Sequence, residues 1–261
     1  MHYKLEGKTA LICGGSSGIG FAIAKALNAH KNIKIILVSS NEKKLKTAKD
    51  ILGNSNEIDL IKTDLSDESS VESLIQNLEM KNTKVDILIN NSGGPKAGDI
   101  FNIETSDIKS SFNLNFLSHV MLTKHALTNM CDKRWGRIIN ITSTLANEPT
   151  PGMIISSSIR ASVSAFSKSL ADTVADKGIS VNTICPGGVL TDRLKNLIKD
   201  KSKNSDIPYE TLIKESESSI PKKRFAEPEE LASLAEYLCC EEAEYLTGRV
   251  ISFDGGLSKA Y

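Results

Sequence analysis

The segment Cys13-Gly14-Gly15-Ser16-Ser17-Gly18-Ile19-Gly20 follows an apolar run and leads directly into the helical pattern FAIAKALNAH. Glycine at Gly14 lets a backbone turn sharply, Gly18 admits it close to a pyrophosphate, and Gly20 lets a helix settle on a sheet. The amides at the start of that helix, with Ser16, Ser17 and Ile19 beside them, face a ligand with donors and the positive dipole end. A plain flexible loop would also be glycine-rich, but a strand before and a helix after favour a dinucleotide phosphate turn. The end of the second apolar run reads Ser39-Ser40-Asn41, where a carboxylate would hold a ribose 2′-hydroxyl and a cation would accept a 2′-phosphate. No carboxylate stands there to repel phosphate. The hydroxyls of Ser39 and Ser40, with Lys43 or Lys44, suit one, so NADP is expected in preference to NAD.

These residues need a scaffold that brings strand ends together. Short apolar runs at Thr9–Cys13, Lys34–Val38, Glu57–Lys62, Val85–Asn90, Gly136–Thr142, Ile179–Ile184 and Arg249–Phe253 alternate with longer stretches of helical period. Runs such as KIILV, DILIN and RIINI are apolar throughout, as strands buried on both faces are. The expected fold is therefore α/β: a single-domain Rossmann fold over residues 1–261, with a doubly wound, seven-stranded parallel sheet and helices on both faces. Ser66-Asp67-Glu68 and Glu227-Pro228-Glu229-Glu230 mark helix starts, and one long helix is expected from Glu104 to Met130. Residues 192–221, rich in lysine and serine, read as a substrate lid with some helical content.

Composition narrows the function classes. Lysine plus arginine balance aspartate plus glutamate at 32 each and only 5% of residues are aromatic, so neither a basic stripe nor a stacking platform for nucleic acid is visible. No apolar run approaches a membrane span. The five cysteines are scattered without metal-ligand spacing and read as reduced thiols. The opening MHYKLEGKTALIC carries no leader pattern, and a cytoplasmic setting is expected. His119 and His125 read as packing or surface residues; no metal site is expected.

Four ordered motifs make the chain resemble the short-chain dehydrogenase/reductase family along essentially its whole length. CGGSSGIG stands where the family has TGxxxGIG, and Cys13 lacks the threonine hydroxyl, a loss of about 1 kcal/mol. NNSG, with Asn91 and Gly93, matches the family NNAG that borders adenosine and ribose. CPGGVLTD matches PGxxxT, so Pro186, Gly187, Val189 and Thr191 are expected along the nicotinamide. FDGG matches the closing VDGG. By the same resemblance Asp64 accepts from the adenine amino group, with Leu65 beside it. The family also implies a homodimer or homotetramer and a small carbonyl or alcohol substrate.

The resemblance breaks at the chemistry. The family transfers hydride with Asn, Ser, Tyr and Lys: Ser polarises the substrate oxygen, Tyr moves the proton, Lys lowers the Tyr pKa and holds the nicotinamide ribose, and Asn anchors a water. FNLNFLSHV aligns Asn115 with the asparagine and IINITS aligns Ser143 with the serine. Where YxxxK is expected the chain reads SSSIR, so Ser156 replaces Tyr and Arg160 replaces Lys. No tyrosine occurs between Tyr3 and Tyr209 to rescue the register. An aliphatic hydroxyl is far less acidic than a phenol, whose pKa is about 10, and a guanidinium keeps its proton. With its NNSGGPK, the chain resembles the subgroup related to 3-oxoacyl-carrier-protein reductases. Two functions follow. One is an NAD(P)-dependent oxidoreductase in which a relayed water, Lys96, Glu148, Asp192, Arg193 or Tyr209 takes over proton transfer. The other is a catalytically silent NAD(P)-binding sensor or partner subunit.

Overall fold

The first strand, β1 (Thr9–Cys13), already divides the core: Ala10 and Ile12 enter one hydrophobic cluster, Leu11 and Cys13 another. Successive side chains of a strand point to opposite faces, so a strand covered on both sides is apolar throughout. Strand β2 (Lys34–Ser39) sends Ile35 and Leu37 to the first cluster and Ile36 and Val38 to the second, and β4 (Ile87–Asn90) repeats the division. The computed structural model describes residues 5–259. With β3 (Glu57–Lys62), β5 (Gly136–Ile141), β6 (Ile179–Pro186) and β7 (Val250–Phe253) these strands form a seven-stranded sheet in the order β3-β2-β1-β4-β5-β6-β7. All neighbours are parallel. The expected strands are all present, β1 and β3 with the expected ends and the others displaced by one or two residues; β4, for example, begins at Ile87, just after Asp86, whose side chain accepts from the Thr9 amide at 3.0 Å.

Helices α1 (Gly18–Asn28), α2 (Glu42–Leu52) and α9 (Pro228–Cys239) cover the first face. Helices α3 (Glu68–Met80), α5 (Ser118–Lys133) and α6 (Ile154–Val174) cover the second. The Glu227 start signal is a capping box with Glu230, with Pro228 in the first turn. The fold is a doubly wound Rossmann sheet, and its strand order reverses between β1 and β4, which opens a crevice at their carboxyl ends.

Two elements differ from the sequence expectation. The helix expected from Glu104 to Met130 is broken into α4 (Thr105–Phe112), a π turn at Asn113–Leu117, and α5. Two side chains satisfy carbonyls that a π turn displaces: Ser118 Oγ donates to the Leu114 carbonyl at 2.9 Å and Asn115 Nδ2 to that of Ser111 at 3.2 Å. The segment read as a lid with some helix is mostly helical, as α7 (Asp192–Ser205) and α8 (Tyr209–Ser219), around Ile198, Leu212, Ile220 and Phe225. Among the described residues no helix is long and apolar enough to cross a membrane.

A buried amide chain joins the elements that meet at the crevice. Asn90 Nδ2 donates to Asn140 Oδ1 at 2.8 Å, Asn140 Nδ2 to Ser167 Oγ at 2.8 Å, and Ser167 Oγ to the Val163 carbonyl at 2.7 Å, linking β4 to β5 to α6. Asn140→Ala leaves two buried groups without this partner and is expected to lower stability by about 1–3 kcal/mol. Urea unfolding measures it, and a loss below about 0.5 kcal/mol, the range of ordinary surface changes, would contradict the role.

Candidate active site

The crevice between β1 and β4 opens into two adjoining cavities. The outer one, about 300 Å³, is lined by Gly14, Ser16, Ser17, Gly18 and Ile19 after β1, Ser39 and Ser40 after β2, and Asp64 and Leu65 after β3. Asn91, Ser92 and Gly93 after β4, with Thr191, Asp192 and Arg193 opposite, close it. Gly14 takes φ +60°, and a β-carbon there would fall 2.5 Å from Asn91 Nδ2, so the turn packs against the β4 loop in a way only glycine permits. Asn91 Nδ2 donates to the Cys13 carbonyl at 3.2 Å and fastens that contact. Gly20 is buried in the first turn of α1, against Gly14.

Ser17, at the N-cap of α1, makes no side-chain cap bond, which leaves the first-turn amides for a ligand. Ser16 Oγ donates to Ser39 Oγ at 2.8 Å, so hydroxyls from two loops converge at the end of β2. Asn41 stands apart from the lining: its Oδ1 accepts from the Lys44 amide at 3.0 Å as the cap of α2. Asp64 Oδ1 accepts from the Ser66 amide at 2.9 Å and from Ser66 Oγ at 2.7 Å. The uncapped helix start and the paired serines fit a dinucleotide.

The inner cavity, about 190 Å³, brings Ser143, Ser156 and Arg160 together with Pro186, Gly187, Val189 and Thr191. Ser156 and Arg160 are four residues apart on α6, so they stand one above the other on one buried face of the helix. Ser156 is 7% exposed and Arg160 5%. Arg160 Nη1 donates to the Ile141 carbonyl at 2.8 Å, while its buried Nε has no partner among the described residues. Burial, reinforced by Arg193, pushes the Arg160 guanidinium down to about 10, which still leaves it charged at neutral pH. Ser143 Oγ accepts from the Leu145 amide at 3.3 Å, which orients the hydroxyl at the mouth of β5.

Asn115 does not line either cavity. It is fully buried, accepts from Ser92 Oγ at 2.9 Å and braces the π turn, so it positions the Ser92 loop. Of the candidate proton donors, Lys96 is paired with Asp107 at 2.8 Å, Glu148 accepts from the Lys259 amide, and Tyr209 packs in the small cluster under α7 and α8. Asp192 lines the outer cavity alone and Arg193 lines both. Sequence reasoning missed Ser92, Gly94 and the apolar wall of Leu145, Met153, Leu194 and Leu197. Apolar residues in loops and on an amphipathic helix carry no signal that separates a wall from a core. Gly94 did carry one, as the second glycine of NNSGGP.

Residues 8–202 match the model of the short chain dehydrogenase family. The chain is 34% identical to the NADPH-dependent reductase BacG of Bacillus subtilis over 258 residues, covering 97% of this chain and 98% of that protein. It is 31% identical to the 3-oxoacyl-[acyl-carrier-protein] reductase FabG of Aquifex aeolicus, over 98% of this chain and 100% of the relative. Its backbone superposes with a TM-score of 0.93 on L-sorbose reductase from Gluconobacter frateurii, solved with NADPH and L-sorbose, at 29% identity and full coverage of both chains. The chain belongs to the short-chain dehydrogenase family.

On α5, within electrostatic reach of Arg160, lies His119, 1% exposed, with neither ring nitrogen paired among the described residues. Burial first, then the nearby Arg160 charge, push its pKa down to about 3. The folded protein therefore holds the ring neutral, while the unfolded chain takes up a proton near the ordinary value of about 6.5. Stability contributed by His119 is present above that value and is lost as pH falls toward about 3. His119→Leu is expected to flatten this acid limb, measured by urea unfolding at stepped pH; parallel limbs in both proteins would contradict it.

Proposed function

We propose that the chain is a cytoplasmic, NADP-dependent reductase that interconverts a small carbonyl compound and its alcohol, related to 3-oxoacyl-carrier-protein reductases. The observation that carries this is the meeting of Ser143, Ser156 and Arg160 in a cavity continuous with the dinucleotide crevice. Relatives named as NADPH-dependent support the cofactor, as does the absence of a carboxylate at Ser39-Ser40. The first-turn amides of α1 and the Gly14 turn hold the diphosphate, Ser16, Ser39 and Ser40 take the 2′-phosphate with Lys43 or Lys44, and Asp64 and Leu65 flank the adenine. Pro186, Gly187, Val189 and Thr191 line the nicotinamide.

When bound, the reduced nicotinamide supplies a hydride to the carbonyl carbon. Ser143 and Ser156 donate hydrogen bonds to the carbonyl oxygen, which gathers charge as its π bond breaks and then takes a proton from water. The positive charge of Arg160 stabilises that oxygen without giving up its own proton. Water replaces the missing phenol as the proton source. A homodimer or homotetramer belongs to this reading, supported by the exposed apolar side chains Ile108 and Phe112 on α4.

Thermal unfolding with NADP, NADPH, NAD and NADH is expected to show the largest shift with the phosphorylated pair, about 2.7 kcal/mol of stabilisation at a hundredfold excess over Kd. Ser39→Asp, which places a carboxylate against the phosphate, should move preference toward NADH by roughly tenfold or more. Equal shifts for all four nucleotides would contradict the choice of NADP. Ser143→Ala is expected to lower kcat by about 100-fold or more, as loss of an oxyanion donor does, with NADPH affinity retained. Nucleotide binding without turnover across a broad carbonyl panel would instead favour the silent sensor, the reading that the absence of a tyrosine near Ser156 motivates.

A further inference from the structure

After Gly93, which lines the outer cavity, Gly94 and Pro95 stand outside that lining, and their neighbour explains them. Arg193, from the first turn of α7, lays its guanidinium on Gly94, where a β-carbon would fall 2.2 Å from Arg193 Nη2. That same nitrogen donates to the Pro95 carbonyl at 3.0 Å. Gly94-Pro95 is thus a seat for a guanidinium, and any side chain at Gly94 would push it out. So seated, Arg193 lines the inner cavity opposite Arg160.

Two guanidiniums therefore share one cavity, close enough that Arg193 disfavours the charge on Arg160. Neither forms an ion pair with a carboxylate among the described residues, and no aspartate or glutamate lines this cavity. Asp192, next to Arg193 in sequence, lines only the outer cavity. The Nε of Arg160 is a buried donor with no acceptor among the described residues. Burying like charges side by side without an anion is costly. An anion between them would remove the repulsion and satisfy the open donor, and a carboxylate matches a guanidinium fork in shape.

We propose that Arg160 and Arg193 form a carboxylate-binding site, so that the substrate is a small oxo acid, or the matching hydroxy acid, with its carbonyl at Ser143 and Ser156. Leu145, Met153, Leu194 and Leu197 form the wall for its apolar body. A cavity of about 190 Å³ shared with the nicotinamide holds a short chain. Gly94 is a positioning residue, acting through Arg193. The assignment rests on the reductase reading above.

The test uses the NADP-saturated protein and two matched acid–ester pairs: 4-methyl-2-oxopentanoate and acetoacetate, each against its methyl ester. Calorimetric titration should show the acids binding at least about tenfold more tightly than the esters, the scale of a charge-assisted pair. Arg193→Gln and Gly94→Ala should both abolish that preference, with a loss of NADPH affinity well below the loss of acid affinity, since Arg193 also lines the outer cavity while the phosphate contacts lie in the α1 turn. With turnover measured in parallel, the same substitutions should raise KM for the acids and leave KM for the esters unchanged. Acids that bind no better than esters overturn the proposal, as does a loss of NADPH affinity in Arg193→Gln equal to the loss of acid affinity, which would assign that arginine to the nucleotide. Failure of the protein to bind any nicotinamide nucleotide is a different result: it sinks the reductase reading and this site with it. Acid preference without turnover keeps the two-arginine carboxylate site and overturns the assignment of the acid as a substrate.

Discussion

Everything distinctive about this molecule depends on one buried guanidinium. Arg160 is held from below by the Ile141 carbonyl, is almost wholly removed from solvent, and has no carboxylate to neutralise it among the described residues. A charge in that position is tolerated only when its surroundings are organised around it. Ser143 and Ser156 stand beside it in the inner cavity, and His119, held neutral, lies within its electrostatic reach. A lysine at this place would share a proton with a neighbouring phenol; an arginine acts as a fixed charge with a fork of donors.

The sheet delivers these groups to one point. Because strand order reverses between β1 and β4, the loops after those strands part and leave a crevice at the carboxyl ends. The amide chain from Asn90 through Asn140 to Ser167 fixes β4, β5 and α6 relative to one another, and so fixes Ser143 at a strand end against Ser156 and Arg160 on a helix. Asn115 works from the other side, holding Ser92 and bracing the π turn. Sites built on strand ends and a helix face in this way keep their geometry with little help from loops.

The fold was legible because its physics is local. Strands buried on both faces must be apolar at every position, as Ala10 to Cys13 and Ile35 to Val38 are, and the glycine turn announces where the first of them ends. Most of the lining of the outer cavity was legible for the same reason: Gly14 to Ile19 and Ser39-Ser40 sit immediately after strands. What stayed hidden was tertiary. The π turn at Asn113–Leu117 keeps a helix-like pattern of residues, so only the bonds made by Asn115 and Ser118 reveal it. The seat of Arg193 on Gly94 joins segments far apart in the chain, and neither residue type alone points to the other. Asn41 looked like part of the cofactor loop and its side chain caps α2 instead, a competition that a short polar residue at a strand-to-helix junction always poses.

Hydride transfer at a cavity without the phenol is the central claim, and isotope transfer tests it most directly. The protein would be incubated with NADPH carrying deuterium at its transferable position and with a small oxo acid, and the product examined by mass spectrometry. The account predicts a hydroxy acid with deuterium on the new carbinol carbon, and none from Ser143→Ala over the same interval. Tight nucleotide binding with no deuterated product from any carbonyl offered would contradict it.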